Sequence, residues 1–212
     1  MRKRIIRHLN QRSEMLSGIS HDLRTPLTRI KLQLSFIKDK EISKKLSQDV
    51  NEMENMLNDY LQFASSQSTE KTETFDLSEL LKNLVNKFEK QEIIMEIQEK
   101  IYFDGRKNLL QRCLNNLMNN AIKYSDNINI RMSKSSNTIS IIIDDDGPGI
   151  PKNERENVFK PFYKINKSRG DSKSSVGLGL SIASDIIRSH GGNIKLETSP
   201  LKGLRVKVYL PF

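Results

Sequence analysis

The chain contains no tryptophan, a single cysteine and only 6% aromatic residues among its 212 positions. One cysteine, Cys113, permits no intramolecular disulfide, which suits a reducing compartment. Cys113 follows Arg112 on an amphipathic stretch and reads as a packed thiol rather than a reactive one. No segment approaches the ~20 consecutive apolar residues that a membrane-crossing helix requires. The chain is therefore expected to be soluble and cytoplasmic, with no membrane span. Zinc-finger spacing and an aromatic set suited to base stacking are both missing. The net charge of +9 is also interleaved with acids along most of the sequence. No nucleic-acid partner is expected from such a pattern. Internal repeats are absent, and 36% hydrophobic residues leave room for two small domains or one large one.

Positive charge concentrates only at the start, where Arg2, Lys3, Arg4, Arg7 and Arg12 precede the first acid, Glu14. Such a start fits a segment lying just inside a membrane, and it equally fits an ordinary basic helix start. Leu9, Leu16, Leu23, Ile30 and Ile37, with Leu27 and Leu34 between them, then form a seven-residue repeat. Ile42, Leu46, Val50, Met53, Leu57, Tyr60, Leu61 and Ala64 give a second amphipathic helix after a short polar connection at 38–41. The two make an antiparallel hairpin. One hairpin cannot cover both its apolar seams, so pairing into a four-helix bundle, and hence a homodimer, is expected.

His21 falls off the apolar seam, Asp22 adjoins it, and Thr25 stands one turn further on the same surface. A carboxylate beside an imidazole can accept its N–H, fix the tautomer and leave the other nitrogen as a nucleophile. Pro26 should bend the helix just after His21. Residues 65–74 are small and polar and read as a linker, giving a hairpin at 1–66, a linker at 67–74 and a second domain at 75–212.

The second domain reads as helix 76–90, a strand-like stretch at 92–103, helix 106–124, strands 128–133 and 138–144, helix 178–190, and strands 193–198 and 204–210. Helices mixed with a largely antiparallel sheet predict an α+β sandwich. Asp145 ends an apolar strand, where a carboxylate can accept a hydrogen bond from the exocyclic amine of adenine. Gly147 and Gly149 after it would let backbone approach a ligand closely. Asn116 and Asn120 share a helix face, with Lys123 and Tyr124 one turn on, and the extra Asn115 and Asn119 face elsewhere. Amide oxygens can ligand magnesium, and a lysine can neutralise phosphate charge. Gly177, Leu178 and Gly179 open a helix whose free N–H groups suit phosphate. Phe159 and Phe162 are expected to pack beneath the polar stretch that follows them, and His190 to cap a helix.

From about residue 13 onward these motifs occur in the order, and at roughly the spacing, of a sensor histidine kinase, which the chain resembles. Ser20-His21-Asp22-Leu23-Arg24-Thr25-Pro26-Leu27 and Asp145-Asp146-Gly147-Pro148-Gly149 look most like the EnvZ-type osmosensor kinases that pair with OmpR-type response regulators. The resemblance implies an all-α dimerising hairpin followed by a GHKL (Bergerat) ATP-binding fold, with ATP and Mg²⁺ as cofactors. It assigns Asp145 to adenine, Gly147 and Gly149 to the pocket frame, and Tyr124 to the nucleoside. Asn120 goes to Mg²⁺, Asn116 and Lys123 to the phosphate end, and Gly177, Leu178 and Gly179 to the nucleotide as well. It further implies that His21 accepts the γ-phosphoryl group with Asp22 as general base and hands it to an aspartate on the receiver domain of a response regulator. Thr25 would position water for the reverse dephosphorylation. The chain would then be the cytoplasmic portion of an inner-membrane sensor. The polar, basic stretch 163–175 reads as a mobile lid, in which Lys167, Arg169 and Lys173 either reach phosphate or face solvent. The family pattern usually has a further glycine where this chain has Ser175, which bears on lid flexibility or rate. Gyrase-, chaperone- or mismatch-repair-type ATPases are the enzyme rivals, and they need no His-Asp-x-x-Thr helix. A degenerate module that docks a regulator without turning over ATP is the non-enzyme alternative.

Overall fold

The computed structural model describes residues 23, 25–64, 70–88, 92–98, 100–165 and 177–212. They fall into two compact units, one within residues 1–67 and one from residue 68 on.

In the first unit, helix α1 covers 25–34 and helix α2 runs Lys40–Ala64. Asp39 starts α2 by accepting the N–H groups of Glu41 (2.9 Å) and Ile42 (3.1 Å), donors that the helix itself cannot satisfy. Leu27, Leu34 and Val50 are buried between the helices, with Ile37 and Leu57 packed on them. The sevenfold spacing of Leu27 and Leu34, and of Val50 and Leu57, is what keeps these residues on facing seams. Lys31 and Glu54 close the hairpin with an ion pair at 2.5 Å. Leu23, Ile30, Leu32, Phe36, Ile42, Leu46 and Met53 stay exposed, so the hairpin leaves a second apolar surface in water. Thr25 is exposed. The bend expected from Pro26 concerns backbone preceding it and lies outside the described residues, as do His21 and Asp22.

The second unit is an α+β sandwich. Its strands are β1 (Glu73–Asp76), β2 (Glu92–Ile97), β3 (Tyr102–Gly105), β4 (Asn127–Lys134), β5 (Thr138–Asp145), β6 (Asn193–Thr198) and β7 (Leu204–Pro211). Its helices are α3 (Leu77–Val85), α4 (Lys107–Tyr124) and α5 (Gly179–Ser189). The main sheet has the order β2-β4-β5-β7-β6, antiparallel except for the β2–β4 pair, while β1 and β3 form a separate two-stranded sheet. Alternation decides which face is buried. Ile130 pairs with Ile143, Ile143 with Val206 and Val206 with Leu196; Met132, Ile141, Val208 and Ile194 form the next row. Leu109, Leu110, Cys113, Leu114, Leu117, Met118 and Ala121 of α4, and Ile182, Ala183, Ile186 and Ile187 of α5, are buried with them at helical spacing. On the alternate positions, buried Asp144 accepts Arg205 Nε (2.6 Å) and Nη2 (2.8 Å) and Arg131 Nη2 (3.1 Å).

Three expectations change. The stretch at 92–103 is two strands in two sheets, because Ser78 intervenes: its Oγ donates to Gln98 O and accepts the Ile101 N–H. Helix α3 ends at Val85 rather than near 90. The stretch read as linker 67–74 belongs in part to the second unit: β1 starts at Glu73, and Glu70 accepts the N–H groups of Asn108 (2.7 Å) and Leu109 (3.3 Å). A carboxylate from outside α4 thereby does the work of a helix N-cap, where Arg106 offers no side-chain bond. Such a role leaves no local trace in a polar segment.

Candidate nucleotide site

Asp145 continues the inward-facing row of Ile139, Ile141 and Ile143, and so carries a carboxylate to the end of a buried strand, where it is 5% exposed. Its Oδ1 accepts the N–H of Gly147 (3.0 Å) and of Leu204 (2.8 Å). Among the described residues no donor occupies Oδ2. Burial pushes the Asp145 pKa upward, while those two backbone donors hold it back. One oxygen is thus committed to the fold, and the other is not.

Glycines let backbone close around this group. A Cβ on Gly147 would stand 2.7 Å from the Tyr124 carbonyl oxygen, so the turn after β5 rests on the last residue of α4. Gly149 has φ +69 and lies against Gly203. Sequence reasoning missed Gly203, at which a Cβ would fall 2.3 Å from Asp145 Oδ1 and 2.5 Å from Gly147 N. Its only signal was a turn, Pro200-Leu201-Lys202-Gly203, ahead of an alternating strand.

The phosphate-end candidates come from α4 and α5. Asn116 Cβ is 4.0 Å from where a Cβ on Gly179, the first residue of α5, would be. Asn116 Nδ2 is buried with no hydrogen-bond partner among the described residues. An orphaned donor beside a helix start fits an anionic ligand such as phosphate. Asn120 is half-buried one turn on, whereas Asn119 is exposed. Lys123 Nζ lies 5.3 Å from the centroid of the Tyr124 ring, and Tyr124 is 42% exposed. Leu178 is buried, at 1% exposed, and so packs in the core, while α5 has no side-chain N-cap to compete for its first N–H groups. Gly177, at φ +79, accepts the Phe162 N–H at 3.0 Å. Phe162 is 54% exposed and holds this junction through its backbone N–H; most of the polar stretch beneath which it is expected to pack lies outside the described residues. Lys167, Arg169, Lys173, Ser175 and Val176 lie outside the described residues.

No group of three His, Cys, Asp or Glu residues among the described residues is placed to hold a metal ion. Magnesium accepts such an arrangement, because it is commonly bound by one or two protein oxygens plus substrate phosphates and water. The Asn120 amide oxygen is a donor of that chemical type. His190 is structural: Nδ1–H donates to Ile186 O (2.8 Å) and Nε2 accepts the Arg106 N–H (3.1 Å), which requires the neutral ring. Burial lowers its pKa accordingly. Cys113 is fully buried, and burial raises its thiol pKa far above the usual range, as a packed thiol requires.

Residues 105–212 match the family of histidine kinase-, DNA gyrase B- and HSP90-like ATPases, and residues 11–69 match the His Kinase A phospho-acceptor domain. The sensor histidine kinase GtrS of Pseudomonas aeruginosa is 34% identical over 215 residues, covering 100% of this chain and 44% of its own length. The sensor histidine kinase CpxA of Escherichia coli is 32% identical over 222 residues, covering 97% of this chain and 48% of its own. The chain thus spans about half the length of the curated relatives it matches. The fold also matches the crystal structure of full-length ShkA in complex with AMPPNP, with a TM-score of 0.75 at 21% identity over 94% of this chain and 46% of that one. With a phospho-acceptor domain matched at 11–69 and this ATPase fold at 105–212, the chain belongs to the sensor histidine kinase family.

Proposed function

We propose that this chain is the catalytic core of a sensor histidine kinase, which binds ATP in its second unit, phosphorylates His21 and passes the phosphoryl group to an aspartate of a response regulator. The observation that carries the reading is Asp145: a buried carboxylate with Oδ1 held by Gly147 and Leu204 and Oδ2 left over is suited to accept the amine of adenine. Gly147, Gly149 and Gly203 keep Cβ atoms out of the backbone around it, and Gly177 does the same against Phe162 and Tyr163. Asn116 and Lys123 serve the phosphate end, Tyr124 the nucleoside, and the α5 N-terminus at Gly177, Leu178 and Gly179 offers N–H donors to phosphate oxygens. Mg²⁺ bound through Asn120 and the phosphates supplies charge neutralisation at the transferring group. The AMPPNP bound to ShkA supports a nucleotide at this fold.

In the transfer itself, the His21 nitrogen remote from Asp22 attacks the γ-phosphorus, the bond to the β–γ bridging oxygen breaks, and ADP leaves. Asp22 accepts the N–H of the other ring nitrogen and draws off its positive charge as the N–P bond forms. Thr25 positions water for dephosphorylation of the regulator. The exposed apolar surface of the α1–α2 hairpin is covered by a second copy, which makes the working unit a homodimer. Motif wording favours an EnvZ-type kinase with an OmpR-type receiver domain as partner. No described helix is long and apolar enough to cross a membrane, so a position just inside the inner membrane rests on the basic start.

The test is incubation with γ-labelled ATP and Mg²⁺. Acid-labile label is expected on the native chain and none on His21→Gln, with ATP affinity unchanged. Persisting label on that variant overturns the assignment of His21, and absence of label on the native chain overturns the kinase reading.

A further inference from the structure

Asp146 follows Asp145 in sequence and faces another task. Its Oδ1 accepts the N–H groups of Asp126 (3.0 Å) and Asn127 (3.1 Å), and its Oδ2 accepts Asn127 Nδ2 (2.6 Å). All three donors sit in the short connection between the end of α4 at Tyr124 and the start of β4 at Asn127. Main-chain pairing of β4 with β5 stops at Ile128 opposite Asp145, so the carboxylate takes over where the ladder ends. On the helix side, Ser125 returns both its N–H (3.0 Å) and its Oγ (2.8 Å) to Ala121 O, which terminates α4 at a fixed place. The Tyr124 carbonyl then rests on Gly147. The three donors also hold the Asp146 pKa below the usual carboxylate range, the Asn127 side chain most of all.

We propose that Asp146 is a positioning residue for nucleotide binding: with Asn127 it clamps the last turn of α4, and so sets Lys123 and Tyr124 relative to Asp145. The inference rests on the nucleotide reading of this site. It assigns to the second acidic residue of the Asp145-Asp146-Gly147 turn no contact with ligand at all. Because the carboxylate is half-exposed and outside the apolar core, its loss should reach the ligand through geometry and not through collapse of the fold.

The experiment compares ATP and GTP affinity, by calorimetric titration well below the melting temperature, with the Tm of the ligand-free chain. Asp146→Ala should weaken ATP binding about ten-fold, the scale of one charge-assisted hydrogen bond, while the preference for ATP over GTP stays as Asp145 sets it. Asn127→Ala keeps both backbone bonds and should weaken ATP about three-fold, so it reads the clamp even where Asp146→Ala fails to fold. Adding it to Asp146→Ala should cost nothing more, since both remove one linkage. Asp146→Asn alone turns an amide nitrogen toward Asn127, whose own amide must flip to accept it, and the charge assistance is lost. Combined with Asn127→Asp, it restores the bond with donor and acceptor exchanged, and affinity should return to within about three-fold of native. A lowered Tm with unchanged affinity in both single variants overturns the proposal, and so does failure of the exchanged pair to recover. A native chain that binds no ATP overturns the nucleotide reading itself. Loss of ATP binding in Asp145→Asn with native affinity in Asp146→Ala removes the clamp alone.

Discussion

Asp145→Asn is the sharpest test of the site, because the structure dictates how the new amide must sit. Gly147 and Leu204 both donate to Oδ1, at 3.0 and 2.8 Å, so the amide oxygen must take that place and the nitrogen must take the place of Oδ2. The fold keeps its two hydrogen bonds. The ligand meets a donor where an acceptor stood. A hydrogen bond to a charged group contributes about 1.5–3 kcal/mol, which converts to a loss in ATP affinity of roughly 10- to 150-fold. Stability should change little, since burial already disfavours the charge at Asp145 and the neutral amide is relieved of that cost. An amide nitrogen facing the base also complements the carbonyl of guanine, so the ATP-to-GTP preference should fall further than the ATP affinity alone. Titration with both nucleotides, alongside thermal unfolding of the free protein, measures all three quantities. Native ATP affinity in the variant refutes the role of Asp145. Equal weakening of both nucleotides refutes the argument from a pinned Oδ1.

Thr25→Ala should keep autophosphorylation within a few-fold while lowering dephosphorylation of the regulator by about ten-fold or more, the scale of one lost positioning contact; both rates are measured on one preparation. Gly203→Ala drives a Cβ to within 2.3 Å of Asp145 Oδ1, and should cost about 1–3 kcal/mol in denaturant unfolding as the overpacked turn shifts, with ATP affinity falling alongside. His190, whose pKa is depressed, favours folding while neutral: its contribution is complete above the unfolded value of ~6.5 and is lost as pH falls below it toward the folded value. Tm compared at pH 7.5 and about 5.5 should therefore show a decline that His190→Asn reduces. Leu117→Ala, at a position 1% exposed, should cost about 2–5 kcal/mol, read from the denaturation midpoint.

What the sequence makes legible here is whatever lies within one element. Helix α4 is readable because Leu110, Leu114, Leu117 and Ala121 repeat at helical spacing, and the same spacing puts Asn116 and Asn120 on one face. Asp145, Gly147 and Gly149 are readable because a strand end and its turn adjoin in the chain. That Asn116 meets Gly179, and that the Asp145 turn meets Tyr124, follows from packing between segments far apart in sequence, and motif order alone carried those juxtapositions. Gly203 escaped notice because its reason for being glycine is Asp145, on another strand. The parallel pairing of β2 with β4 was equally hidden, since Ile93 and Ile94 side by side in β2 show no clean alternation. Glu70 and the pair Arg106–His190 were silent for the same reason: a carboxylate or imidazole serving a distant helix end looks like any other polar residue.

The bond from the Phe162 N–H to Gly177 O also bears on how this fold can diversify. It brings the two ends of an intervening stretch together at 3.0 Å, so the start of α5 is located by that junction and not by the length of chain between. Closing a flexible loop becomes costlier only slowly with length, by about 0.6 kcal/mol per doubling. Insertions, deletions or wholesale exchange within that stretch are therefore affordable without displacing Gly179 from Asn116. Gly177 itself has no such latitude, because a Cβ there would stand 2.7 Å from Tyr163 O on a backbone at φ +79. The junction acts as a socket: one fixed fitting that accepts segments of differing length and charge.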